Sequence, residues 1–275
     1  MSFRRLAHGF TVRSDDPAIG AYLARVLERF AVSEGCEGWT TYEVRDMGPE
    51  EQSRFHLLID GERALAGADP APVLDELFSH VNRDTIEAAG DHVLVHAGAV
   101  VTPEGRGVLL PAPSGSGKST LVAALVQAGF GYLSDEAAVL DPATGDLHAY
   151  PVHLSLKATS RDSFPEVAPA PDEAAYSNGT WHVDPDALRP GSVVARCRVG
   201  FVIPHRYEPG TATQIESLTP AEACVHLGTN LMNGRRDGAR SLGLLAKVSL
   251  RSKGYRLTHG DLDEAVRAIV DLTSR

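Results

Sequence analysis

Cysteine, lysine, aromatic residues and long apolar runs are all scarce in this 275-residue chain. The three cysteines, Cys36, Cys197 and Cys224, stand far apart with no CxxC spacing. That spacing fits neither a zinc site nor a disulfide framework and implies a reducing, cytoplasmic address. No segment approaches the ~20 apolar residues of a membrane helix. The opening Met1-Ser-Phe-Arg-Arg5 leads into no apolar signal core, so neither secretion nor a membrane partner is expected. Positive charge is short too. The formal net charge is −10, which excludes general nucleic-acid binding through a basic face. Of 26 basic residues only four are lysines, Lys118, Lys157, Lys247 and Lys253, so a lysine inside a glycine-rich loop stands out. What remains is globular: 43% hydrophobic and 23% charged residues suffice for a core, and the length suits one large domain with a small appendage.

The first 90 residues carry 16 acidic against nine basic side chains. Gly9–Arg13 reads as a short strand. Asp16-Pro17 is a helix start, with Asp as cap and Pro in the first turn. Ile19, Tyr22, Leu23, Val26, Leu27 and Phe30 recur at helical spacing. Trp39–Val44 and Arg54–Ile59 have strand length, and Ala71–Ile86 places Val73, Leu74, Leu77, Phe78 and Val81 on one helical face. This is a small α+β unit over residues 1–90 with no catalytic constellation.

The texture changes at His92. His92–Val101 is an apolar strand, Thr102–Arg106 a turn, Gly107–Leu110 a second strand, and Lys118–Gly129 a helix. Between the last two lies Ala112-Pro-Ser-Gly-Ser-Gly-Lys-Ser-Thr120, a phosphate-loop pattern with Ala112 in place of the first glycine. Gly115 and Gly117 leave room for backbone amides to converge on phosphate oxygens, and Ser114, Ser116 and Thr120 complete the cradle. The helix turns its positive end to the anion. Lys118 supplies a point charge for the β- and γ-phosphates, and the Ser119 hydroxyl suits Mg²⁺. The cofactors expected are therefore ATP and Mg²⁺.

Tyr132–Leu140 reads as one strand carrying Asp135 and Glu136, 17 and 18 residues beyond Lys118. The helix carries the chain ~15 Å away and six extended residues return ~20 Å, so the acids reach the phosphates. Neighbours on a strand face opposite sides, which would turn one carboxylate to an acceptor and the other to a metal. No LSGGQ-like signature, NKxD motif or VAIK–HRD–DFG set is present, which excludes transport ATPases, GTPases and eukaryotic-type protein kinases.

The sequence resembles the HPr kinase-like proteins, bacterial serine kinases with a phosphoenolpyruvate carboxykinase-like core. The residues that carry the resemblance are His96-Ala-Gly-Ala-Val100, the phosphate loop and Leu133-Ser-Asp-Glu136. Pro151–Lys157 and Tyr255–Asp263 look like the branch that includes lasso-peptide kinases. The resemblance implies that Asp135 is the general base toward the acceptor hydroxyl, that Glu136 helps hold Mg²⁺, and that His96 lies close to the transferred phosphate. By itself His96 reads equally well as a half-buried strand histidine. The family's E-[I/L/V]-R-G signature is replaced by Ser155-Leu-Lys-Ala158, which argues against phosphorylase activity and against HPr as substrate. HPr kinases form rings, so a homo-oligomer is compatible with this chain without being dictated by it.

Weaker candidates for substrate or phosphate contact are Lys157, Arg206, Arg235 and Arg236. The last two belong to a basic stretch, 231–256, that reads equally as a solvated face. A proline-rich segment over 160–191 reads as an irregular loop or lid. Pro220–Asn233, capped by Thr219, and Asp261–Thr273 are further helices. The expected fold is α/β: a phosphate-loop catalytic domain with a mixed central sheet over 91–275, preceded by the α+β unit. The expected function is phosphoryl transfer from ATP to a hydroxyl, most simply a serine of a peptide or protein. The alternatives are a small-molecule hydroxyl acceptor and a non-catalytic nucleotide switch. Retention of Lys118, Ser119 and both acids argues against the switch.

Overall fold

The computed structural model describes residues 1–33, 38–169, 171–234 and 237–274. The chain divides into two compact units, Met1–Gly90 with Ser155–His182, and Asp91–Leu154 with Val183–Arg275. Both mix helices and strands.

The first unit is built from β1 (Ser2–Arg5), β2 (His8–Ser14), α1 (Pro17–Leu27), β3 (Thr40–Asp46), β4 (Phe55–Ile59), β5 (Glu62–Gly67) and α2 (Pro70–Glu87). The strands form one sheet in sequence order, parallel only between β2 and β3, where α1 makes the crossover. Asp16 caps α1 as its sequence predicts, accepting from the amides of Ala18 (2.7 Å) and Ile19 (3.1 Å). Helix α1 buries Ile19, Tyr22, Leu23, Val26 and Leu27, and α2 buries Val73, Leu74, Leu77 and Val81. The edge strands β1 and β5 escape a reading by alternation, because β1 is short and arginine-rich and β5 opens on Glu62-Arg63.

The second unit starts with β6 (Val93–Val101), β7 (Arg106–Pro111), α3 (Lys118–Gln127), β8 (Gly131–Ser134), β9 (Ala137–Leu140) and β10 (Leu147–His148). The chain then supplies β11 (Leu154–Lys157), α4 (Pro171–Ala174) and β12 (Thr180–Val183), with β11 and β12 paired in a two-stranded sheet. It continues with α5 (Pro185–Leu188), β13 (Arg196–Val202), β14 (His205–Tyr207), β15 (Gln214–Leu218), α6 (Pro220–Thr229), α7 (Gly238–Arg251), β16 (Lys253–His259) and α8 (Leu262–Thr273). The main sheet runs β10-β9-β6-β7-β13-β16-β14, with β8 on β6 and β15 on β16. Strands β7, β13, β16 and β14 are mutually parallel along this order, and β6 is antiparallel to β7, β8 and β9. The sheet is therefore mixed, and the carboxyl ends of four parallel strands share one edge, the side where open α/β sheets bind ligands.

Strand β6 organises this unit. It is apolar on both faces, as a strand buried on both sides must be. Its amino-terminal half, beyond the pairing with β7, is met by Asn233, whose side-chain oxygen accepts from Leu94 N–H (3.1 Å) and whose amide donates to His92 C=O (2.7 Å). Gly98 lets α3 lie directly on it. A Cβ there would fall 2.6 Å from Val122 Cγ2 and 3.3 Å from Lys118 Cγ. Arg189 closes the far end of α3, donating to the carbonyls of Val126 (3.0 Å) and Phe130 (2.7 Å).

One sequence expectation changes here. Tyr132–Leu140 is not one strand. The chain bends after β8, where Ser134 Oγ accepts from the amides of Glu136 (3.1 Å) and Ala137 (3.0 Å), and resumes as β9. Asp135 and Glu136 therefore occupy the joint between two strands that both pair with β6. The basic stretch, in its described part, is largely α7 and β16. Leu244, Leu245 and Val248 of α7 are buried, while Arg251 donates to Thr144 C=O (2.8 Å) and Arg256 pairs with Glu216 (3.1 Å).

Candidate functional site

The loop between β7 and α3 curls through two glycines in left-handed backbone, Gly115 (φ 82°) and Gly117 (φ 85°), a conformation that L side chains rarely adopt. Gly117 closes onto the helix as its N-cap, with Leu121 N–H bonded to its carbonyl at 2.9 Å. No side chain caps α3, unlike α1 and α6. Ser114, Gly115 and Gly117 are exposed, and Ser116, Ser119 and Thr120 are half-buried. The loop thus turns its glycines outward at the positive end of a ten-residue helix.

Lys118, the first residue of α3, is only 6% exposed. Its Nζ donates to His96 Nε2 at 2.9 Å and to Ala112 C=O at 3.3 Å. Burial lowers the pKa of this ammonium, against the opposing pull of Glu136 and Asp135. His96 is on β6. An ammonium only donates, so Nε2 must accept and the ring proton belongs on Nδ1, which lies 3.0 Å from Glu136 C=O. Burial first, and the Lys118 charge second, hold His96 below its ordinary pKa, so the imidazole is neutral. Its Nδ1 is also 3.7 Å from the Glu136 carboxylate.

Asp135 is 3% exposed. The Tyr132 hydroxyl lies 2.9 Å from its Oδ1 and 2.8 Å from Val152 C=O. Burial, then the Asp135 charge, push the Tyr132 phenol well above its ordinary pKa, so it is a fixed neutral donor. Glu136 is half-buried at the same bend. Within this unit Lys118, His96, Asp135 and Glu136 thus form one group. It joins the first turn of α3, strand β6 and the β8–β9 joint.

The weaker candidates separate from this group. Arg206 is exposed on β14 and pairs with Glu208 at 2.8 Å. Lys157 is exposed on β11 and belongs to the other unit. Arg235 and Arg236 lie outside the described residues, as does Cys36. Cys197 and Cys224 are free thiols, and burial pushes Cys197 up to about 12. No helix among the described residues is long and apolar enough to cross a membrane.

Five neighbours of this region were not singled out from sequence. Gly98 admits the helix, and Tyr132 holds Asp135. On the other flank of the loop, His205 begins β14 and His259 ends β16, with ring centroids 6.1 Å apart, and Tyr207 lies 5.5 Å from His259. Burial, then His259 and Lys118, hold His205 down at about 3. Burial also lowers His259, against Asp261.

No protein-family model matches the chain, and no curated protein matches it either. Among solved structures the chain is similar to the HPr(Ser) kinase/phosphatase from Coxiella burnetii, at 14% identity and a TM-score of 0.35, over 66% of this chain and 97% of that one.

Proposed function

We propose that the second unit is a phosphotransferase that moves the γ-phosphoryl group of Mg·ATP to a hydroxyl, most simply a serine of a peptide or protein. The observation that carries this reading is the buried Lys118, paired with His96 between the glycine loop and the Asp135–Glu136 bend. A lysine that merely filled space would not be buried at the mouth of an uncapped helix beside two carboxylates.

The residues fit the donor. Left-handed Gly115 and Gly117 and the uncapped first turn of α3 would hold phosphate oxygens through backbone N–H groups. Ser119 and Glu136 offer the hard oxygen ligands that suit Mg²⁺. When bound, Mg·ATP supplies the phosphoryl group and the cation that screens it. Lys118 meets the charge that builds on the leaving oxygens, and its low exposure strengthens that interaction. His96, kept neutral with its proton on Nδ1, accepts from Lys118 and so steers the ammonium. Asp135 orients the incoming hydroxyl and takes its proton, with Tyr132 fixing the carboxylate. The resemblance to HPr kinase-like proteins, in the motifs given above, supports a serine acceptor, and the missing E-[I/L/V]-R-G signature favours transfer without phosphorolysis.

The direct test is calorimetric titration with Mg·ATP. Wild type should bind, and Lys118→Met should lose at least tenfold in affinity with unchanged circular dichroism. Equal binding by both proteins would overturn the assignment of Lys118 to the phosphates.

A further inference from the structure

The sheet order places the reactive group and a second set of aromatic side chains on opposite flanks of the phosphate loop. On one side of β7 is β6, which carries His96 and pairs with both strands of the acid-bearing bend. On the other side come β13, β16 and β14. Tyr207 ends β14 and His259 ends β16, at the carboxyl edge of the parallel strands. Tyr207 reaches back to the loop itself: a Cβ placed on Gly117 would lie 3.9 Å from its Cβ. Tyr207 is 50% exposed at the end of a paired strand. Behind it His259 is buried, 5.5 Å away between ring centres and tilted at 56°. His205, 5% exposed beside His259, has both ring nitrogens buried without a hydrogen-bond partner.

These features have one economical use. A nucleotide whose terminal phosphate lies between Lys118 and Asp135 has its other end directed away from β6, toward β16 and β14. An exposed aromatic face on a rigid strand end, supported from behind by a second ring, is what a nucleobase stacks on. We propose that Tyr207, backed by His259, is the platform for the base of the bound nucleotide. The site deepens the reading above and rests on it. The ligand class is a nucleoside triphosphate, with the ring of Tyr207 meeting the base rather than the phosphates.

The experiment compares Mg·ATP with Mg·tripolyphosphate, which has the phosphates and no base. Both are titrated calorimetrically into wild type, Tyr207→Ala and Tyr207→Phe. The alanine variant should bind Mg·ATP about tenfold more weakly and Mg·tripolyphosphate as wild type does. The phenylalanine variant should keep the wild-type affinity for both, because stacking needs the ring and not the hydroxyl. Unchanged ATP binding by Tyr207→Ala overturns the platform. So does an equal loss for both ligands, which would make Tyr207 a support of the loop. Wild type that binds tripolyphosphate and gains nothing from the nucleoside also overturns it, while leaving the phosphate loop standing. Wild type that binds neither ligand sinks the nucleotide reading and the platform together.

Discussion

Adding one methyl at Gly98 should be about as damaging as shaving the side chain it would strike, and making both changes should recover part of the loss. A Cβ on Gly98 would fall 2.6 Å from Val122 Cγ2, closer than carbon atoms pack, and 3.3 Å from Lys118 Cγ. Gly98 is in the middle of β6, and Val122 is fully buried in α3, so neither backbone is free to yield. Overpacking of this kind costs about 1–3 kcal/mol. Val122→Ala alone removes two buried methyl groups and should cost roughly 2 kcal/mol. In the double variant the new methyl occupies space that Cγ2 has left. The combined cost should then fall short of the sum by about 1–2 kcal/mol, as expected for residues in contact. Urea unfolding followed by circular dichroism measures all four proteins. The same clash pushes on Lys118, so Gly98→Ala should also weaken Mg·ATP binding, and Val122→Ala should restore it. Additive stability costs, or a neutral Gly98→Ala, would refute the close seating of α3 on β6.

Three other perturbations read the site separately. Removing the ammonium in Lys118→Met takes away the second cause of the depressed His96 pKa, so the His96 midpoint should rise in an NMR titration; no movement would break the Lys118–His96 contact. His205 is held at about 3 in the fold, chiefly by burial, against 6.5 for an ordinary histidine. Below pH 6.5 the unfolded chain takes up a proton that the folded chain refuses, so this contribution is complete above 6.5 and declines on acidification, at roughly 1.4 kcal/mol per pH unit within the window. Melting temperature should therefore fall between pH 7 and pH 5 less steeply in His205→Asn than in wild type, and parallel slopes would contradict the burial argument. Tyr132→Phe should lower kcat about tenfold or more while KM for ATP stays put, because the hydroxyl fixes Asp135 and touches no part of the donor cradle; a change confined to KM would place Tyr132 elsewhere.

Sequence carried the local devices and missed what distant strands assemble. The glycine loop before α3 was legible because its local features are contiguous: two glycines in left-handed backbone, a lysine and the start of a helix. The Asp16 and Thr219 caps were legible for the same reason. The bend at Asp135 was not, because apolar residues continue on both sides of it and the break rests on the single hydroxyl of Ser134. Tyr132 was hidden by the same bend. Residues three apart on a regular strand face opposite ways, and only the bend brings the hydroxyl to Oδ1. Helix α7 was obscured by its arginines, although Leu244, Leu245 and Val248 already marked its buried face. Tyr207 and His259 are 52 residues apart and meet only because β14 lies parallel beside β16, a pairing no local pattern announces.

On the proposed function, the buried acid at the bend drives transfer to a hydroxyl. Wild type and Asp135→Asn are incubated with Mg·ATP and an extract of the cells that make the protein, and mass spectrometry follows any peptide, protein or metabolite that gains one phosphate. The account predicts a phosphorylated serine product with wild type and none with Asp135→Asn, although both bind Mg·ATP equally. The same product formed at the same rate by Asp135→Asn, or no phosphorylated product from a wild type that binds Mg·ATP, would contradict it.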